Sequence, residues 1–369
     1  MKTYPLESMT IDEAKELQFK LIDIITDVFK GSEVLALGDL GVVRGLNKPT
    51  YTLKVEKVIA KLFNAEAAIL LRGAGTGAIR WGLMSFLKPG DRVLLHDAPI
   101  YPTTEVTLSS MGFEPIFADF NDTSKIKEVL LENPDVKGAI VQYTRQKIED
   151  SYTMDQVIST IKTLRPELPV LTDDNYAAMK VRKIGVELGA DLSAFSSFKL
   201  LGPEGVGILV GNKENIDKIA ALNYSGGSQV QGHEAMEVIR GLIYAPVSLA
   251  ISAGVSEELV NRLNSGELKG VKKAFIANAQ SKVLLVQLEE EIAEEVIKAA
   301  EAFGAAPNPV GAESRYEFVP MFYRVSGTFK AADKALEKTM VRINPMRSGA
   351  DTVIKILKKS IDCAKNNSI

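Results

Sequence analysis

The chain has 369 residues, 44 lysines and arginines against 47 aspartates and glutamates, a net charge of −3, and a composition 46% hydrophobic and 25% charged. That is globular composition with room for one large domain and a smaller one, and the interspersed charge gives no reason to expect a nucleic-acid or anionic-membrane partner. One cysteine, Cys363, and two histidines, His96 and His233, exclude an internal disulfide, a His/Cys metal site of ordinary type and a recognisable Ser-His-Asp triad.

In chain order, Met1–Leu6 lacks the basic-then-apolar pattern of a signal peptide. With no apolar run judged long enough to span a bilayer, a cytoplasmic protein is expected. Ser8–Phe29 reads as a helix, with Thr10 as N-cap and Ile11, Ala14, Leu17, Leu21, Ile24 and Ile25 on one face. Residues 31–50 are rich in Gly and Pro and read as an irregular arm. A second helix covers Leu53–Phe63. Apolar runs at Ala67–Leu71, Arg92–His96, Glu114–Ala118, Gly138–Val141 and Pro169–Thr172 then read as buried strands. Helices at Gly77–Leu87, Thr103–Met111, Ser124–Glu132 and Met154–Leu164 lie between them. Leu192–Phe195 and Gly205–Val210 are further strands, and Ala245–Leu263 is one long helix. Strands near Val283–Leu288 and Val341–Ile343, with helices Ile292–Phe303 and Ala350–Cys363, suit a smaller α+β domain. The alternation predicts an α/β large domain, a mostly parallel sheet sandwiched by helices. The expected division is an N-terminal helix and arm (1–50), a large domain (51–250) and a small C-terminal α+β domain (251–369).

In such a sheet, ligands bind at the carboxyl ends of the strands. Five polar segments follow predicted strands: Gly73–Gly77, Asp97–Thr104, Gln142–Arg145, Thr172–Tyr176 and Ser196–Lys199. Lys199, flanked by Phe198, Leu200 and Leu201, is a lysine in apolar company, where burial makes an amine nucleophilic.

Leu171–Gly211, LTDDNYAAMKVRKIGVELGADLSAFSSFKLLGPEGVGILVG, resembles the cofactor core of the fold-type-I pyridoxal-phosphate superfamily (aminotransferases, cysteine desulfurases and trans-sulfuration enzymes). The superfamily resemblance covers most of Arg44–Arg342. Nearly end to end the chain is most similar to the YhfS-type proteins, a group that brings no known reaction. The resemblance implies pyridoxal 5'-phosphate held on Lys199 as a Schiff base. It also implies an acid on the pyridine nitrogen, which is Asp173, 26 residues before the lysine, with Asp174 as the alternative. Asp173-Asp174-Asn175-Tyr176 matches the aminotransferase pattern Asp-x-x-Tyr, giving Tyr176 the ring phenolate oxygen. Gly75, Thr76 and Gly77, opening a helix after a strand, would cradle the phosphate. Ser196 matches the phosphate serine, and Tyr101 the aromatic that stacks on the ring. Gly73-x-Gly75-x-x-Ala78 is also a permissible dinucleotide fingerprint. No acid follows the second strand at the right place, Asp91 and Asp97 only flanking it, and a nicotinamide oxidoreductase would leave Lys199 unexplained.

Val341-Arg342-Ile343-Asn344 resembles the strand carrying the arginine that pairs with a substrate carboxylate. Arg342 is assigned that role, with Arg347 as rival. Arg44-Gly45-Leu46-Asn47-Lys48-Pro49-Thr50 resembles the trans-sulfuration arm Tyr-Ser-Arg-x-x-Asn-Pro-Thr, which reaches a neighbouring subunit's phosphate. Here Val42 replaces the tyrosine and Lys48 is an extra residue. Gly226 and Gly227, in Ser225–Ser228, resemble a turn that makes the same cross-subunit contact, so a homodimer is implied. Thr144 and Arg145 are candidates for cofactor or substrate by position alone. His96 reads as a packed histidine. The Asp-x-x-Tyr motif favours an aminotransferase-like transferase acting on a small amino acid, and the Arg44 arm favours a β/γ-lyase or γ-replacement enzyme. A catalytically silent cofactor-binding or regulatory protein is the third reading. Cys363, far along the chain from these segments, argues against a cysteine desulfurase.

Overall fold

The buried positions of α1 (Ile11–Val28) are Ala14, Leu21, Ile24 and Ile25, the stripe that its apolar spacing dictates. The protein was analysed as a computed structural model that describes residues 2–145, 147–278, 282–308, 313–325, 327–332 and 334–366. It divides into two units: Glu13–Tyr143 with Tyr152–Pro246, and Met1–Asp12 with Thr144–Ser151 and Val247–Ile369. The division falls at Pro246, inside α8, and the short segment Thr144–Ser151 groups with the C-terminal unit.

After α1 the larger unit continues through α2 (Thr50–Leu62), β1 (Ala67–Arg72), α3 (Ala74–Met84), β2 (Arg92–His96), α4 (Pro102–Met111), β3 (Glu114–Ala118) and α5 (Thr123–Glu132). There follow β4 (Val136–Gln142), α6 (Met154–Leu164), β5 (Val170–Asp173), β6 (Leu192–Ser196), β7 (Val206–Gly211), α7 (Lys213–Leu222) and the start of α8 (Gly232–Asn264). Seven strands form one sheet in the order β1-β7-β6-β5-β4-β2-β3. The pairs β2–β3, β2–β4, β4–β5 and β5–β6 are parallel, and β7 runs antiparallel to both β1 and β6. Successive residues of a strand point to opposite faces, and both faces are covered. Val93, Leu95, Ile140 and Leu171 pack in one cluster with Ile79 and Leu83 of α3. Leu94, Ala139, Val141 and Val170 pack in another with Val157, Ile158 and Ile161 of α6. Removing one such side chain, as in Leu83→Ala, costs about 2–5 kcal/mol.

The smaller unit contains β8 (Val271–Asn278), β9 (Lys282–Leu288), α9 (Ala293–Ala302), β10 (Met321–Tyr323), α10 (Gly327–Ala332), α11 (Leu336–Thr339), β11 (Met340–Asn344) and α12 (Ala350–Lys365). Its four-stranded sheet, β10-β11-β9-β8, is antiparallel throughout. Leu284, Val286, Val341 and Ile343 of the sheet meet Val296 and Ala300 of α9 and Val353 and Leu357 of α12.

One expectation is corrected. Gly226–Asn264 is long and apolar enough to cross a membrane by length and composition. Its charges cluster at the two ends, leaving Gly241–Ser256 uncharged. Of its most apolar window, 56% is buried inside the protein, as in the core helix of a globular fold.

Candidate active site

The topology gathers the polar segments at one end of the seven-stranded sheet. Gln142, Asp173 and Ser196 close the parallel strands β4, β5 and β6, and Gln142 stands beside Asp173 in register. Arg72, which closes β1, pairs with Val206 at the start of antiparallel β7, so Gly73 and Gly205 lie at the same end. The carbonyl of Gly205 accepts the N–H of Gly73 at 2.9 Å and of Ala74 at 3.0 Å.

Lys199 sits in a single 3₁₀ turn, Phe198–Leu200, three residues beyond β6. The turn is held from below: Ser197 Oγ donates within reach of the carbonyls of Pro203 (2.8 Å) and Val206 (2.9 Å), and the Ser197 carbonyl accepts from Leu200 and Gly202. Lys199 is half-buried, and its Nζ lies 3.7 Å from the centroid of the Tyr176 ring, a cation–π distance. Tyr176 is buried and has φ +66°, a left-handed conformation that tyrosine rarely adopts. Strain of this kind concentrates where the surroundings over-determine a functional geometry. It is the ring face of Tyr176, rather than its hydroxyl alone, that is presented to the amine.

Asp173 and Asp174 have separate partners. Asp173 Oδ1 accepts from the backbone N (3.1 Å) and the side-chain Nδ2 (2.7 Å) of Asn175, and its Oδ2 accepts from Gln142 Nε2 at 3.2 Å. Asp174 is fully buried. Its Oδ2 accepts from Thr172 Oγ1 (3.0 Å) and the Gly185 N–H (3.1 Å). Its carbonyl accepts from Ala177 and Ala178. Burial pushes the Asp174 carboxyl up to about 7, overriding the hydrogen bonds from Ser193, Gly185 and Thr172 and reinforced by the charge of Asp173. Among the described residues Asp174 Oδ1 has no hydrogen-bond partner. Asp174 therefore locks the segment that carries its neighbours, while Asp173 keeps company with Asn175.

Asn175, to which the sequence reading gave no role, ties the site together. Its Oδ1 accepts the Ser196 N–H at 3.1 Å. A Cβ on Gly75 would stand 2.5 Å from that same Oδ1, and one on Gly77 would stand 2.1 Å from the carbonyl oxygen of Arg72. Both positions need glycine for close approach. Gly75 and Thr76 lie in the first turn of α3, where backbone N–H groups have no intrahelical acceptor. This glycine cradle fits a phosphate group. Asp173 and Ser196 beside it, and Lys199 three residues on, fit the remainder of a pyridoxal phosphate.

Tyr101 is half-buried at the N-cap of α4, followed by Pro102. Arg44 is exposed in a turn in which Leu46 and Asn47 donate to the Val43 carbonyl. A Cβ on Gly226 would meet Val42 Cγ2 at 3.0 Å, so the Arg44 arm and the Gly226–Gly227 turn are neighbours on one exposed face. His96 Nδ1 accepts the Phe120 N–H at 3.0 Å, and its ring packs against Phe120 and Tyr152, a packed histidine. In the smaller unit, Arg342 is buried in β11 with its guanidinium 3.9 Å from the centroid of Tyr323. Arg145 Nη1 donates to the Tyr4 carbonyl at 2.7 Å, and Thr144 is buried. Cys363 is half-buried on α12.

Comparison with known proteins points to the same cofactor. Residues 44–252 match the family model described as Cys/Met metabolism PLP-dependent enzyme, and residues 257–357 match the YhfS-like C-terminal domain. The chain is 55% identical to YhfS of Escherichia coli (strain K12) over 98% of its own length and 99% of that protein. The crystal structure of that pyridoxal-5'-phosphate dependent protein superposes with a TM-score of 0.96, at 54% identity over 98% of this chain and 99% of that one. Two distant structures share the fold. A putative cystathionine β-lyase involved in aluminium resistance from Listeria monocytogenes has a TM-score of 0.72 and 18% identity, covering 95% of each chain. A cystathionine γ-synthase from Xanthomonas oryzae has a TM-score of 0.71 and 14% identity, covering 95% of this chain and 98% of that one.

Proposed function

The chain belongs to the Cys/Met metabolism PLP-dependent enzyme family, and from that membership we propose that it releases or exchanges a substituent on the β- or γ-carbon of a small amino acid, with Lys199 as the working amine. The observation that carries the reading is Lys199 Nζ 3.7 Å above the Tyr176 ring, on the turn that follows the strand adjoining Asp173. When bound, pyridoxal 5'-phosphate supplies an electron sink that stabilises negative charge at the substrate α-carbon. Lys199 would hold the cofactor and, as a free amine, would take the substrate α-proton on Nζ as general base. The Tyr176 ring shields that amine from water. The Asp173 carboxylate, aligned by Gln142 and Asn175, keeps a proton on the pyridine nitrogen. The N–H groups of Gly75 and Thr76, with the Ser196 hydroxyl, would bind the phosphate; the Gly77 N–H is spent on the Gly73 carbonyl at 2.8 Å, so Gly77 serves the cradle by close approach alone, and Tyr101 would stack on the ring. Arg342 pairs with the substrate carboxylate. Arg44 and the Gly226–Gly227 turn reach a second copy of the chain in a homodimer, a reading supported by the exposure of Leu35, Leu37 and Leu40 in the same arm.

Transamination is the second reading, favoured by the Asp173-x-x-Tyr176 pattern. A panel of amino acids added to the cofactor-loaded protein separates the two. Elimination yields ammonia and a keto acid and returns the cofactor band, whereas transamination yields a keto acid with no ammonia and leaves the cofactor in its amine form. Lys199→Ala is expected to lose both the near-visible absorption band and turnover. A Lys199→Ala protein that kept the band would sink the proposal, and a wild-type protein unresponsive to every amino acid would leave only a silent binder.

A further inference from the structure

The opposite end of the seven-stranded sheet carries a recess of its own. Strands β4 and β5 close at the candidate site with Gln142 and Asp173 and begin, at Val136 and Val170, on the other side. The seven residues of β4 put about 20 Å between the two ends. There the turn after α3, the start of β4, the α6–β5 connection and α7 border a cavity of about 600 Å³, wholly within the larger unit. Phe86, Leu87 and Leu168 supply apolar wall. A Cβ on Gly138 would stand 2.5 Å from Phe86 Cε2, so glycine there makes room for the ring.

Four cations, Lys88, Lys137, Arg165 and Lys218, line this cavity against two acids, Asp91 and Glu167. Asp91 is spent on its own turn, where Oδ2 accepts the Lys88 N–H at 2.7 Å. Lys218 pairs with Glu214 at 2.8 Å. Glu167, whose side chain is largely exposed, accepts from Arg165 Nε at 3.2 Å. Arg165 Nη1 is covered and has no hydrogen-bond partner among the described residues. Arg165 is the C-cap of α6, and the last carbonyls of a helix favour a cation. Capping alone would spend the guanidinium on those carbonyls, and a buried unspent donor is costly and rare. A rotamer change of the kind that accompanies ligand binding is enough to turn this donor into the cavity.

We propose that the cavity binds a phosphorylated small molecule with an apolar or aromatic body, the phosphate held by Arg165 with Lys88 and Lys137, and the body lying on Phe86, Leu87 and Leu168. The planar guanidinium matches phosphate oxygens in pairs, and the lysines add point charge. The volume falls within the range of about 300–1,000 Å³ over which small-molecule sites are built. This site is distinct from the cofactor cradle and does not depend on which reaction Lys199 serves.

Titration calorimetry of the cofactor-loaded protein, whose cradle is already filled, tests it with phenyl phosphate, inorganic phosphate and phenol. Phenyl phosphate is expected to bind at a single site, about tenfold tighter than either of the others, with the cofactor absorption band unchanged. Arg165→Gln is expected to weaken that binding about tenfold and Arg165→Lys by less, because an ammonium lacks the fork. Should the Arg165 variants fail to fold, Lys88→Gln, a change on an exposed side chain, carries the test with an expected loss of about threefold. Absence of binding, inorganic phosphate binding as tightly as the ester, or an affinity unchanged by these substitutions overturns the proposal. Loss of the cofactor band during the titration overturns it as well, because the ester would then be occupying the cradle.

Discussion

Asp174→Asn isolates the buried acid beneath the candidate site. Asp174 has 0% exposure and a carboxyl pushed up to about 7 from a model-compound value of 3.8. A folded-state value above the unfolded one means that the folded protein binds the proton more tightly. The group's contribution is then greatest at low pH and is lost as pH rises through the folded value. At pH 5 the unfolded chain has already ionised this acid while the folded protein still keeps its proton, and two pH units separate 5 from 7. Each unit is worth about 1.4 kcal/mol, so from pH 5 to pH 8 the wild type should lose on the order of 3 kcal/mol through Asp174 alone. Asparagine preserves an acceptor for the Gly185 N–H and cannot ionise, so the variant should lack this loss. Urea unfolding followed by tryptophan fluorescence is the assay. The chain has one tryptophan, Trp81, and it lies in α3 of the unit that contains Asp174. All other titrations are common to both proteins, so the difference between the two pH slopes reports Asp174. Parallel slopes would refute the claim that burial keeps this acid protonated near neutrality.

Gly75→Ala places a Cβ against Asn175 Oδ1 in the phosphate cradle and should weaken cofactor retention at least about tenfold, measured by the absorption band after dialysis; unchanged retention would move the phosphate elsewhere. Asn175→Ala removes the side-chain hydrogen bond to Asp173 and the acceptor of the Ser196 N–H, keeps the backbone N–H bond to Asp173, and should shift the pH dependence of the cofactor band while the fold persists by circular dichroism. Arg342→Ala should raise the amino-acid dissociation constant about tenfold or more with cofactor content unaltered, and normal affinity for every substrate would remove Arg342 from the site. Cys363→Ser should leave any sulfide release from cysteine intact, because that thiol sits on α12 and is assigned no part in the chemistry; loss of such activity would reopen the desulfurase reading.

What could be read from sequence followed from local pattern. The core strands are apolar runs punctuated by Gly, Asp or Ser, so β1 to β7 were each found within about two residues at their ends. Lys199, Asp173 and Gly75 were visible for the same reason, each standing just past such a run. β8 was not, since Lys272 and Lys273 break the apolar pattern at its exposed end. β10 is three residues long, too short for any period to show. The antiparallel setting of β7 was equally hidden, because a buried strand reads the same in either direction. Asn175 was passed over although it sits inside the quoted motif. Its importance lies in contacts with Gly75 and Ser196, far away along the chain.

The division of the chain has a consequence for how these assignments can fail. Lys199, Asp173, Asn175, Ser196 and the Gly75–Gly77 cradle all belong to the larger unit, whereas Arg342 and Arg347 belong to the smaller one. The first group is knit by hydrogen bonds that run from Gln142 through Asp173 and Asn175 to Ser196, so substitutions within it should be strongly non-additive. Asn175→Ala combined with Gly75→Ala, for instance, should cost less than the two separately, because removing the Asn175 amide relieves the clash that the new Cβ creates. Arg342 answers to a different readout, the binding of the amino acid rather than retention of cofactor. Gly75→Ala and Arg342→Ala combined should therefore each keep its own effect, one on the absorption band and one on the amino-acid dissociation constant. Strong coupling between those two substitutions would mean that the roles assigned to them are not separate.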